Sequence, residues 1–115
     1  MKLSDVVAQV VIDPRKLINY ALDPENPVGS NKAIIFQRRL GYTKDNYEPL
    51  LQQIHAQALG AEAVPTQLDQ HGQRYQVDLE VDGVEGQKAI VRTGWIVEPK
   101  ANFARLVTLY VRKQP

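Results

Sequence analysis

No cysteine occurs in the 115 residues of this chain, which excludes disulfide scaffolds, thiolate zinc sites and cysteine nucleophiles together. Histidine is nearly as scarce. Of the two present, His55 lies beside Ile54 in a helical stretch and His71 in a turn, and neither has Asp, Glu or His at metal-ligand spacing. No metal or other cofactor is expected. Charge of one sign is not in excess either: the net charge of +1 sets up no whole-molecule field for nucleic acid or membrane, so any basic surface has to be local. Long apolar runs are missing as well. None approaches the roughly 18 to 20 residues of a spanning helix, and Met1-Lys2-Leu3-Ser4-Asp5 meets an acid before a secretory core could develop. A cytoplasmic protein without a membrane partner is the expectation. There is no Gly-x-Ser-x-Gly elbow, and no acid pair at helical spacing to suggest a glycosidase.

What is present is enough apolar sequence, 43%, to close one modest core, and residues 1–115 read as one α+β domain. Val6 to Ile12 is β-branched, and its second half reads as a short strand or extended lead-in, with a helical turn from Ser4 as the alternative that periodicity does not separate at this length. Asp13 followed by Pro14 starts a helix that runs to Leu22, because proline has no amide proton to lose and the Asp carboxylate accepts orphan amides. A two-proline loop, Asp23 to Gly29, leads to a second helix. Ser30 caps it, Ala33, Phe36 and Leu40 form its apolar stripe, and Gly41 supplies a left-handed end. A third helix spans Asn46 to Leu59 with Pro49 in its first turn. Beyond Gly60 the period changes from about 3.6 to 2. Strands are expected near Ala63 to Asp69, over Arg74 to Val81 with Tyr75, Val77, Leu79 and Val81 inward, over Lys88 to Val97, and from Ala104 to Arg112. The economical packing is three N-terminal helices on one face of a three- or four-stranded antiparallel sheet. Phe36, Leu51, Ile54, Val77, Leu79, Trp95, Val107 and Leu109 are expected in the core.

Two constellations carry chemistry. On the last two strands, Arg92, Thr108, Tyr110 and Arg112 share the face turned away from the helices, with Gly94 leaving room at the backbone; an ordinary solvated sheet face would carry the same residue types. At the start of the second helix, Gly29, Ser30, Asn31 and Lys32 form a candidate phosphate site, since free amides and the helix dipole attract anions there. Lys32 is a cation that the dipole disfavours, so an anion close by is expected, either a phosphate or an internal carboxylate such as Asp23 or Glu25. The run is not a P-loop, because it lacks the spaced glycine and the Lys-Ser/Thr pair.

Residues 16–22 (Lys-Leu-Ile-Asn-Tyr-Ala-Leu), Asn26-Pro27-Val28-Gly29-Ser30-Asn31-Lys32-Ala33, Phe36, Leu40-Gly41-Tyr42, Asn46, Trp95-Ile96-Val97 and residues 105–110 resemble a family of small bacterial domains of unknown function. Such domains also stand at the C-termini of phage-head-like and polymorphic-toxin-like proteins. The order of helices followed by a meander is similar to the barnase, colicin and RelE type of RNase-toxin fold. The resemblance implies an effector, and with it a toxin and antitoxin pair. Members often carry His where this chain has Asn26; were that His a catalytic acid or base, this chain would be impaired.

Two readings follow. In one, the chain is a metal-independent endoribonuclease toxin: Lys32, Arg92 or Arg112 neutralises the scissile phosphate, and Thr108 or Tyr110 orients a proton or the 2′-hydroxyl. In the other, it is a non-catalytic protein-binding module that uses the same face. The partners are accordingly RNA, or a small cognate antitoxin or other neighbour-encoded protein, and the sequence does not set the oligomeric state. If RNA is the substrate, Lys32 and the Arg92 face must converge on one concave site.

Overall fold

The computed structural model describes residues 1–113. Five strands, β1 (Gln9–Val11), β2 (Ala63–Asp69), β3 (Gly72–Asp82), β4 (Lys88–Val97) and β5 (Phe103–Val111), form one sheet in the order β1-β5-β4-β3-β2. From β2 to β5 it is an antiparallel meander. β1 joins the outer edge of β5 in parallel, Gln9 opposite Phe103 through Val11 opposite Arg105. The expected three- or four-stranded antiparallel sheet is thus corrected to five strands with one parallel edge. A strand of three residues, Gln9-Val10-Val11, is too short to announce which strand it pairs with.

Only two of the three expected helices are regular: α1 (Ser30–Leu40) and α2 (Glu48–Gln57), the latter continued by a 3-10 turn, Ala58–Gly60. The start of the first expected helix is nevertheless as read. The Asp13 carboxylate accepts the Arg15 amide at 3.0 Å and grips the Arg15 side chain. The chain then widens into a π-turn, Leu17–Ala21, closed by the Leu22 amide on the Leu17 carbonyl at 2.8 Å. Leu17, Ala21 and Leu22 are all still buried, so core packing is kept while the regular α ladder is given up.

Phe36 and Leu40 of α1 and Leu50 and Ile54 of α2 are buried in one cluster with Tyr75, Val77, Leu79, Val81, Ala89, Val91 and Trp95, and Ala33 of α1 is buried as well. Gly41, at φ 79°, ends α1 in the left-handed conformation, where a Cβ is disfavoured, and donates its amide to the Gln37 carbonyl at 3.0 Å. Leu51, expected in the core, lies on the flank of α2 and is half-buried. Val107 is also only half-buried, for a structural reason. The register passes from Gly94 opposite Thr108 to Trp95 opposite Leu106, so Val107 is the extra residue of a β-bulge. The bulge switches the inward set of β5 from Ala104 and Leu106 to Leu109 and Val111. Trp95 is 1% exposed; its indole N–H donates to Thr93 Oγ1 at 2.7 Å, and that hydroxyl donates to the Val77 carbonyl at 2.7 Å. Among the described residues no helix is long and apolar enough to cross a membrane.

Candidate functional site

Past Arg105 no strand among the described residues flanks the outer edge of β5, because β1 stops there. The π-turn and the first turn of α1 lie beside this open edge, and the Lys32 side chain reaches round it to the sheet face away from the core. Its ammonium donates to the Tyr20 hydroxyl and, at 3.2 Å, to Thr108 Oγ1. It also stands 5.5 Å from the centroid of the Tyr110 ring, within cation–π reach. Among the described residues no carboxylate lies within 4.0 Å of it. The internal partners Asp23 and Glu25 are not used: Asp23 accepts the Glu25 amide at 3.0 Å, and the position that disfavours a cation holds one surrounded by hydroxyls and rings. Burial alone would raise the Tyr20 phenol, but the bonds from Lys32 and with Thr108 and the Lys32 charge together hold it below its ordinary value.

Across the same face, Arg92 stands opposite Tyr110 on β5 and opposite Asp78 on β3. Arg92 meets Asp78 through two parallel bonds of 3.0 and 3.1 Å, and Arg112 donates to the same carboxylate at 3.2 Å. The Asp78 carboxylate first, and the Tyr110 hydroxyl second, push the Arg92 guanidinium above its ordinary value. Two guanidiniums thus share one carboxylate, and one positive charge is left over.

Lys32, Arg92, Tyr110 and Arg112 line one surface cavity of about 460 Å3, walled on its apolar side by Ile35 and Val111. Arg92 and Tyr110 also line a second, of about 190 Å3, with Arg74, Gln76 and Thr108. The pair therefore forms a ridge between two depressions. Gly94 lines the smaller cavity, but the room left by its missing side chain is not free for a ligand. A Cβ there would meet the Thr108 methyl at 2.9 Å, so the space is already taken by the side chain that Lys32 contacts. The candidate phosphate-binding amides are also partly engaged: Gly29 donates to Asn26 Oδ1 at 3.0 Å and Ser30 to the Asn26 carbonyl at 2.9 Å. Asn31 and Lys32 remain on the cavity wall. Among the described residues no group of three or more His, Asp or Glu is placed to hold a metal.

Residues 2–113 match the family described as a domain of unknown function (DUF6883). The chain belongs to that family. No curated protein matches it. Among solved structures it is similar to a chain of a contact-dependent growth inhibition toxin–immunity protein complex from Klebsiella pneumoniae 342, at 20% identity and a TM-score of 0.69, covering 89% of this chain and 99% of that one. At that identity the likeness is one of fold.

For this DUF6883 domain the structure gives Asn26 a use of its own. Its side-chain oxygen accepts the Val28 and Gly29 amides at 2.9 and 3.0 Å, and its side-chain nitrogen donates to the Asn19 carbonyl at 2.8 Å. Asn26 therefore fixes the loop to the π-turn and does not line the cavities of the sheet face. Tyr20 and Asp78 were not among the candidates drawn from the sequence. Asp78 could have been found by counting the β3–β4 hairpin register, which puts it opposite Arg92. Tyr20 carried no periodic signal; its place follows from a π-turn that the sequence read as α-helix.

Proposed function

We propose that this domain is a metal-independent endoribonuclease, the toxin member of a toxin–immunity pair. The observation that carries the reading is that Lys32 lines one cavity with Arg92 and Tyr110 and reaches Thr108 beside it, the lysine paired with hydroxyls instead of a carboxylate. An ammonium, a guanidinium and the Tyr110 hydroxyl around one depression, with the Thr108 hydroxyl beside the ammonium, suit a phosphodiester: the cations stabilise charge that builds on the non-bridging oxygens, and the hydroxyls align the attacking group. Charge supplied by the chain itself would do work that other nucleases give to a metal ion. Fold likeness to a chain of a growth-inhibition complex supports an effector or immunity-like role.

The other reading, a non-catalytic module that binds a protein partner, is favoured by one observation. Asp78 already holds Arg92 and Arg112, as on a surface shaped for packing. Induced expression of the domain alone separates the two. A ribonuclease arrests growth and degrades cellular RNA, and Lys32→Ala relieves both. Normal growth with intact RNA would favour the binding module.

A further inference from the structure

We propose that Tyr20 is the group that takes the proton from the attacking 2′-hydroxyl and that Lys32 protonates the leaving 5′-oxygen, an assignment that rests on the ribonuclease reading above. A base is needed, and the usual one is missing from this face. His55, on α2, and His71, in the turn between β2 and β3, are exposed, and neither lines a depression with Lys32, Arg92 or Tyr20. Asp78, the carboxylate opposite Arg92, is occupied by two guanidiniums, and Glu80, further along β3, lies by Lys88. The hydroxyls remain, and of the two tyrosines Tyr20 is the one whose oxygen receives a hydrogen bond from the ammonium, whereas Tyr110 meets Lys32 through its ring.

Tyr20 is half-buried, and its other flank opens onto a further surface depression with Lys16 and Asn19. A strand of RNA can therefore reach it from that side. The ammonium beside it and the Thr108 hydroxyl favour the ionised phenol and outweigh its burial, which brings the group nearer to the operating range of a general base.

The proton inventory closes on these two side chains. The Tyr20 phenolate accepts the 2′-hydroxyl proton while the 2′-oxygen bonds to phosphorus. The bond from phosphorus to the 5′-oxygen breaks, and the 5′-oxygen takes a proton from the Lys32 ammonium. Tyr20 then returns its proton to the Lys32 amine along the hydrogen bond that already joins them. The products are a 2′,3′-cyclic phosphate and a 5′-hydroxyl end, with no water or redox partner consumed.

The test is the pH dependence of kcat/KM for total bacterial RNA, measured on the parent domain, Tyr20→Phe and Lys32→Met. The parent should show an acid limb. Tyr20→Phe, which keeps the ring and loses only the hydroxyl, should fall about 10²- to 10⁴-fold and lose the limb, while Lys32→Met should move what remains of it to higher pH. Tyr20→Phe within about threefold of the parent, or weakened with the limb unmoved, would overturn the assignment and leave the ribonuclease reading standing. A parent that cleaves no RNA would overturn both.

Discussion

Arg92 and Asp78 face each other across β3 and β4 and are joined by two parallel hydrogen bonds of 3.0 and 3.1 Å, both side chains about three-quarters shielded from solvent. A guanidinium held in this way cannot swing, and its remaining N–H groups are set toward the ridge it forms with Tyr110. Asp78→Asn should therefore do two opposite things. Freeing Arg92 and Arg112 of their shared countercharge should tighten RNA binding at low salt and steepen its salt dependence, while turnover falls because Arg92 is no longer aligned. Filter binding over a salt series checks this; an unchanged slope would place the two arginines away from the RNA.

Gly29 is required by space and not by backbone angle. Its φ of −95° suits any residue, but a Cβ would lie 2.3 Å from the Tyr20 carbonyl oxygen. Gly29→Ala should cost about 1–3 kcal/mol through overpacking and push Tyr20 away from Lys32. Urea unfolding together with an RNA cleavage assay should show both losses; a variant as stable as the parent would mean that the loop relaxes at no cost.

Trp95→Ala removes the largest fully buried side chain and the donor that meets Thr93. The expected loss is about 3–5 kcal/mol, a large share of the stability of a domain this size. Melting within a few degrees of the parent would contradict the packing described for β4.

The Arg15 side chain and amide hold the Asp13 carboxyl at about 2, below its ordinary 3.8. A depressed carboxylate contributes stability that is present above its unfolded value and is lost as pH falls through its folded one. The loss should therefore fall between pH 3.8 and about 2. Asp13→Asn should flatten acid unfolding in that window, which circular dichroism can follow. Because the pair is exposed, the effect should shrink in salt.

Much of this molecule was legible where one residue type has one physical use. Gly41 as a left-handed helix end, Pro49 in a first turn and the alternation of β3 all reappear in the structure. The outward set Arg92, Thr108 and Tyr110 was legible for the same reason, since period two assigns faces without knowledge of the partner strand. Val107 escaped because a bulge changes parity without a mark in the sequence. The segment of β1 was read as extended, but its parallel pairing with β5 and the π-turn escaped because both are decided by tertiary contacts, and Tyr20 was lost with the turn that carries it. Lys32 was the informative exception: a cation in the first turn of a helix announced a nearby anion, and what the structure sets beside it is a hydroxyl on a strand 76 positions away.

The most direct measurement of the central claim is end-group analysis of total bacterial RNA incubated with the purified domain in excess EDTA. The account predicts new 2′,3′-cyclic phosphate and 5′-hydroxyl ends, unaffected by the chelator, with Lys32→Ala and Arg92→Ala each reduced at least about 100-fold. Intact RNA at all protein concentrations, or ends that appear equally with Lys32→Ala, would contradict it.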